Sequence, residues 1–330
     1  MSKSTIGILA PCYNEGQVII RFLDELRTIL ETINHDFQIV IVDDGSTDDT
    51  RELLQSLDWQ SKIKLNLVFL EHNKGHQGAI AQGLNYCKSL DISHLVVMDS
   101  DGEDDPQAIT ALANNLSAPI VFVSRKRRKE SVKFKVFYTF YKLLFYTVTG
   151  KKLNFGNYSM ISKKVLLEIQ DKQFVHYSAF ISKLNYPKKF VPYDRRKRID
   201  GESKMNFDSL VLHGFKSFIE YAEDLFFVFL KLLMIIFLFI IGGAGVILYK
   251  KYVMDSAILG WTSSLMLSLI IMAIISLGFF VIGIMVLYGF RKIEGQINTR
   301  LNDSSQYKVC LLYTSPSPRD RTRSRMPSSA

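Results

Sequence analysis

Cysteine is scarce in this chain of 330 residues: Cys12, Cys87 and Cys310 are all it has. They form no Cys-X-X-Cys pair, and an odd count excludes a fully paired disulfide framework, so a reducing compartment fits. No zinc-ligand spacing and no RNA-binding aromatic signature accompany the basic residues. That excludes nucleic acid as the reason for the net charge of +9 and leaves anionic lipid or phosphorylated substrates. A signal-peptide pattern is also missing, since residues 1–5 are polar and the next apolar run is only strand-length. Charge itself is absent from residues 257–290, and residues 225–249 contain only Lys231.

Each of these two apolar stretches is long enough to span a bilayer, and the short polar loop 250–256 between them makes a transmembrane hairpin. Lys250 and Lys251 compete with Arg291 and Lys292, so the distribution of positive charge does not orient it. A hairpin returns both flanks to one side of the membrane. Residues 207–222 and residues 133–148, where aromatic residues fall near helical spacing among Lys133, Lys135 and Lys142, read as helices on the membrane surface. An ordinary aromatic core helix is the other reading of 133–148.

The first two thirds of the chain have a different character. Short apolar runs at 6–10, 37–42, 65–70, 95–98 and 120–124 alternate with helical patterns at 16–33, 47–57, 76–90 and 106–116. Such alternation predicts an α/β fold with a doubly wound, mostly parallel sheet. Ligands on these sheets bind at the carboxyl ends of strands. The polar clusters 11–15, 43–49 and 99–105 fall there.

Two of those clusters are acidic. In VDDGSTDD (42–49), Gly45 permits a tight turn and Ser46 to Asp49 suit helix capping. Capping does not account for the pair Asp43 and Asp44, whose carboxylates can accept hydrogen bonds from a base or a ribose. In MDSDGEDDP (98–106), five acidic residues crowd within seven positions. Like charges at that density repel unless a cation sits among them, and hard oxygen ligands suit Mg²⁺ or Mn²⁺. Asp104 and Asp105 can instead cap the helix that Pro106 begins; Asp99 and Asp101 have no such role.

Taken in order, IGILAPCYNEG, IVDDGSTDDT, HNKGHQGAIAQGL, VVMDSDGEDDP and RRKRIDGESK resemble the family 2 glycosyltransferases of GT-A fold. The likeness is to their polyprenyl-phosphate glycosyltransferase and dolichyl-phosphate mannose synthase branch, and it extends over residues 6–290. The resemblance implies a Rossmann-like GT-A domain followed by interface helices and a membrane hairpin. It implies that Pro11, Tyr13 and Glu15 line a nucleotide site, that Asp44 with Asp43 holds the base, and that Asp99 and Ser100 touch ribose and diphosphate. Asp101 would bind the metal, Mg²⁺ or Mn²⁺. Glu103 stands where the family usually has a glutamine ligand. Arg125, Arg198 and Lys204 would contact donor or acceptor phosphate, as guanidinium forks suit phosphate oxygens.

The resemblance breaks at one position. Related polyprenyl-phosphate enzymes often have an aspartate in a Gly-Asp-Phe motif, proposed as a base, where this chain has Gly156-Asn157-Tyr158. An amide cannot take a proton at neutral pH. A phosphate monoester, with a second pKa near 6, is already largely a dianion, so Asn157 would serve as a hydrogen-bond donor to sugar or phosphate. His76 is read as a helix-start residue beside the nucleotide loop.

The expected activity is inverting transfer of a sugar, UDP-glucose by default, from a nucleotide sugar to polyprenyl phosphate. The expected setting is the cytoplasmic face of the cell inner (plasma) membrane, in a multi-pass chain. The partners are the nucleotide sugar, the lipid phosphate and the membrane, with homo-oligomerisation open. Transfer to a glycolipid or polysaccharide is one alternative; neither Trp59 nor Trp261 lies in the QxxRW motif of processive synthases, which lowers it. A degenerate nucleotide-sugar-binding scaffold is the other, and retention of Asp99, Asp101, Arg198 and Lys204 speaks against it. The domains expected are catalytic (1–205), juxtamembrane (206–224), hairpin (225–290) and cytoplasmic tail (291–309). Residues 310–320, CLLYTSPSPRD, read like the translation of a sequencing-library adapter, so the natural frame is expected to end near Val309. The other reading of 310–330 is a disordered Ser/Pro/Arg tail that touches anionic lipid.

Overall fold

The computed structural model describes residues 3–125, 155–169, 172, 174–193, 196, 221–254, 260–301 and 307–312. The expected interface helix at 133–148, most of 206–224, and Arg198 and Lys204 lie outside them. The chain divides into two compact units. The first comprises residues 1–131, 154–213 and 298–330, and the second residues 132–153 and 214–297.

The first unit is built on a sheet of eight strands in the order β7-β5-β6-β4-β1-β2-β3-β8. These are β1 (Thr5–Cys12), β2 (Asp36–Asp43), β3 (Lys64–Leu70), β4 (His94–Val97), β5 (Ile120–Arg125), β6 (Phe155–Ser162), β7 (Lys188–Tyr193) and β8 (Tyr307–Leu312). The run β3-β2-β1-β4 is parallel, and β6 and β8 run against it. The sheet is thus mixed but mostly parallel, as the alternating pattern predicts. Strands β1, β2 and β4 read as continuous apolar runs because helices cover both their faces.

Among the described residues this unit has the helices α1 (Gln17–Thr32), α2 (Thr50–Gln55), α3 (Gly75–Cys87), α4 (Ala108–Ala113), α5 (Lys163–Ile169) and α6 (Tyr177–Lys183). One face of the sheet packs Phe22, Leu26 and Leu30 of α1 and Leu112 of α4 against Ile6, Ile8, Ile39 and Ile41. The other packs Ile80 and Leu84 of α3 with Leu9, Val40 and Val42, beside Val165 and Leu166 of α5. Helix α3 lies so close that a Cβ on Gly83 would collide with a Leu9 methyl. That close seating brings the start of α3 beside the ends of β2 and β4.

The second unit contains α7 (Ala222–Tyr252) and the greater part of α8 (Trp261–Leu301). Within them, Phe226–Tyr252 and Ser263–Val286 are long and apolar enough to cross a membrane, with mean hydropathies of 2.7 and 2.9. Gly283 lies against the Phe226 ring and Gly243 faces Leu269, so the helices pack antiparallel as a hairpin. Most of their large side chains point outward; Phe239 is 76% exposed and Met285 68%. An apolar exterior of this extent marks a membrane or protein interaction surface.

Strand β8 pairs antiparallel with the outer edge of β3, from Leu65↔Leu312 to Leu70↔Tyr307. It crosses the expected frame end at Val309, so three adapter-like residues take part in the pairing. Truncation after Val309 is expected to leave folding and membrane insertion unchanged, because the pairs lost lie on the rim of the outermost strand. Thermal unfolding of the purified protein checks this: a drop in Tm beyond about 4 °C, roughly 1–2 kcal/mol in a unit of this size, would show that the tail supports the sheet.

Candidate active site

A parallel strand that ends leaves backbone groups without ladder partners. At the carboxyl ends of β1, β2 and β4 those groups are taken up by side chains from neighbouring loops. The Thr50 hydroxyl, fully buried, accepts from the N–H groups of Glu15 (3.0 Å) and Gly16 (2.7 Å). Asn14, held at φ 51°, donates its N–H to Ser46 Oγ (3.0 Å), and its Oδ1 accepts from the Thr47 N–H (2.8 Å). Ser100 donates to the Pro11 carbonyl at 2.7 Å. The loops after β1, β2 and β4 therefore form one floor, with Tyr13 39% exposed above it.

The two aspartates after β2 divide their work. Asp43 is fully buried; it accepts from Arg51 Nε at 2.9 Å and from the Ser46 N–H at 3.2 Å. Arg51 also donates to the Leu70 carbonyl at 2.7 Å, tying the end of β2 to β3. Asp44 faces the loop before α3 and accepts from the Lys74 N–H at 2.7 Å. Burial raises the Asp44 pKa and the N–H groups of Lys74 and Gly75 pull it back, leaving it above the usual carboxylate value. The two loops meet at Gly45 (φ +67°), where a Cβ would lie 2.9 Å from the Asn73 nitrogen. Cys12, beneath them, has its thiol pushed up by burial and by the surrounding carboxylates, so it stays protonated.

The acidic loop after β4 is braced internally. Asp104 Oδ2 accepts from the Asp99 N–H (3.0 Å), Asp101 Oδ1 from the Glu103 N–H (3.0 Å), and Asp105 Oδ1 from the Gln107 N–H (2.9 Å). That last bond lies in the loop before α4, which begins at Ala108 with Gln107 at its N-cap and no side-chain cap, so the helix-capping role expected of Asp104 and Asp105 is not seen. Among the described residues no three His, Cys, Asp or Glu side chains converge as a closed metal cage. Asp101 and Glu103 still fit a hard cation. Mg²⁺ is commonly held by one or two carboxylates and completes its shell with substrate phosphates and water.

The contacts of two residues, Arg196 and His76, were not foreseen from the sequence. Arg196 donates its N–H to the Glu103 carbonyl (2.9 Å), and its guanidinium pairs with Asp105 (2.5 Å) and with Glu25 of α1. Arg196 is thereby fastened to the acidic loop; Arg198 and Lys204 lie outside the described residues. His76, the second residue of α3, stands 3.3 Å from Asp99 Oδ1, and its Nε2 lies 2.9 Å from the Asn157 amide nitrogen of β6. Burial pulls the His76 pKa down, but Asp99, then Asp101 and Asp104, more than offset this and leave it above the usual 6.5. The pattern H-x-G (76–78) at a helix start names the residue but not its partners, which lie 23 and 81 positions away. Arg125 ends β5, paired in register with Tyr193.

Residues 8–179, just over half of the chain, match the profile Glycosyl transferase family 2. The chain belongs to that family. Its relatives include the undecaprenyl-phosphate 4-deoxy-4-formamido-L-arabinose transferase of Pseudomonas savastanoi pv. phaseolicola (strain 1448A / Race 6). That protein is 36% identical over 107 residues, 32% of this chain and 31% of that one. The prophage bactoprenol glucosyl transferase homolog of Escherichia coli (strain K12) is 26% identical over 224 residues, 64% of this chain and 72% of that one. Glucosyl-3-phosphoglycerate synthase from Mycobacterium tuberculosis, solved in complex with Mn²⁺, UDP and phosphoglyceric acid, superposes with a TM-score of 0.50. Its identity is 16%, and the match covers 67% of this chain and 78% of that one. The GT-A fold expected from the ordered motifs is thus the fold of this glycosyltransferase.

The floor of the site generates a direct prediction. Thr50→Val keeps the shape but strands two N–H groups, at a cost of about 1–3 kcal/mol, whereas Thr50→Ser keeps the acceptor. Thermal unfolding should show a lower Tm for the valine variant and a near-normal one for serine; equal Tm values would mean that this hydroxyl does not hold the loops.

Proposed function

We propose that this glycosyltransferase moves a sugar from a nucleotide donor to a polyprenyl phosphate at the cytoplasmic face of the plasma membrane. The observation that carries the reading is Asn157. On β6, joined through His76 to Asp99, it offers an amide where a hydroxyl acceptor would call for a base. A lipid phosphate arrives ionised and needs none. The apolar pair α7 and α8 supports the same reading, since the phosphate of a polyprenyl lipid must be met at the bilayer surface. So does the acceptor in the name of the Pseudomonas relative. UDP-glucose is the default donor, in keeping with the glucosyl transfer in the name of the E. coli relative.

The residues divide the task. Tyr13 and Glu15, on the loop after β1 that follows Pro11, line the nucleotide pocket. Asp44 takes the base, with Asp43 and Arg51 fixing its loop. Asp99 and Ser100 meet ribose and diphosphate. Asp101 and Glu103 hold Mg²⁺ or Mn²⁺, which when bound neutralises charge on the nucleoside diphosphate leaving group. Arg125, Arg198 and Lys204 hold phosphate oxygens of donor or acceptor, so that the lipid phosphate lies in line with the anomeric carbon. In-line attack inverts that carbon. The hairpin 225–249 and 257–290 anchors the chain with residues 1–205 in the cytoplasm, where nucleotide sugars are.

Purified full-length protein should be incubated with undecaprenyl phosphate and a panel of UDP- and GDP-sugars, and the lipids weighed by mass spectrometry. One donor is expected to add a single hexose mass to the lipid phosphate. Sugar appearing only on a glycolipid or polysaccharide acceptor would overturn the acceptor assignment, and no turnover with any donor and acceptor would favour a binding scaffold. In the same assay Asp101→Ala and EDTA should each abolish transfer, a loss of at least about 10²-fold; full activity in EDTA with no added cation would remove the metal. Protease added to sealed inside-out vesicles should digest the N-terminal unit, and its protection would reverse the topology.

A further inference from the structure

The contacts of His76 set an unresolved demand. Its Nε2 faces two groups at once: Asp99 Oδ1 at 3.3 Å and the Asn157 amide nitrogen at 2.9 Å. A carboxylate requires a proton on that nitrogen, whereas an NH₂ group requires a lone pair, and one ring nitrogen cannot supply both. At the other end of the same amide, Asn157 Oδ1 is enclosed and has no hydrogen-bond partner among the described residues.

A half-turn of the amide removes the conflict. Its oxygen and nitrogen exchange places, and Oδ1 then accepts from a protonated Nε2 that is shared with Asp99. Four carboxylates bear on the ring: Asp99, Asp101, Asp104 and, from the loop after β2, Asp44. They favour the protonated state. The NH₂ group is left facing away from His76, into the enclosed position where the oxygen had nothing to accept. Two N–H donors there require an acceptor, and none is found among the described residues.

We propose that His76 is a positioning residue: by bridging Asp99 and Asn157 it fixes the Asn157 amide with its NH₂ group turned toward an anionic oxygen of the acceptor phosphate. This rests on the phosphate acceptor proposed above. It gives β6 a part in acceptor binding that an aspartate at 157, itself anionic, would not play toward a phosphate. It also links the acceptor side to the donor side, because the same imidazole holds Asp99.

The test uses the full-length protein in lipid nanodiscs and measures binding of farnesyl phosphate without a donor. His76→Leu and Asn157→Leu are each expected to weaken binding about tenfold, the size of one charge-assisted hydrogen bond. The double variant should be no weaker than either single one, since the two residues act as one unit. His76→Gln, whose amide can donate to Asp99 and to Asn157 together, should bind within about threefold of wild type. Losses that multiply in the double variant, or a glutamine variant as weak as leucine, would overturn the proposal while leaving transfer to polyprenyl phosphate intact. If the wild type binds no farnesyl phosphate and glycosylates only another acceptor, the function proposed above falls and this inference with it. Should His76→Leu fail to fold, the ¹⁵N resonances of the His76 ring decide: they are expected to shift on adding farnesyl phosphate to the wild type and not to Asn157→Leu. Resonances that do not respond in the wild type would contradict the bridge.

Discussion

Much of this site depends on one constraint: the backbone groups at the ends of its parallel strands need partners once the ladder stops. Thr50 supplies an acceptor to two N–H groups of the β1 loop, Asn14 exchanges bonds with Ser46 and Thr47, and Ser100 reaches back to the Pro11 carbonyl. Each bond crosses between loops that are distant in sequence. Together they make three loops into one surface, and Asp44, Asp99 and Asp101 stand on it. A loop that satisfied its own backbone would not be tied to its neighbours in this way.

That constraint explains what was legible in the sequence. Apolar runs alternating with helical stretches foretold the sheet, because buried parallel strands must be apolar along their whole length. The acidic pairs at strand ends, and the two apolar stretches that became α7 and α8, were equally plain. Helix limits were less so. The second helix begins at Thr50 rather than near residue 47, because Ser46, Thr47 and Asp48 are engaged in loop contacts. The charge-free stretch ending near residue 290 continues as helix to Leu301, since nothing in RKIEGQINTR compels a helix to stop. The roles of His76, Arg196 and Arg51 were not legible. Each depends on a partner brought near only by the folded sheet, and local sequence does not encode that distance.

The chemistry follows from where charge is placed. On the function proposed, a phosphate acceptor and a donor diphosphate repel one another, so the site would position anions rather than strip protons. Arg196 is paired with the acidic loop, so a cationic side chain is held against the carboxylates there. An amide at 157 adds no charge to that region. The proposed hairpin anchor meets the other requirement, as it would keep the site at the bilayer surface, where a polyprenyl phosphate presents its headgroup.

The central claim is that the acceptor arrives already ionised and that Asn157 positions it without acting as a base. The most direct measurement is the kcat for transfer to polyprenyl phosphate by Asn157→Asp against the wild type. The account predicts a similar or lower kcat, because a new carboxylate would repel the phosphate and has no proton to remove. A rise of about a hundredfold, the size of general-base assistance, would contradict it and show that the natural site lacks a working base.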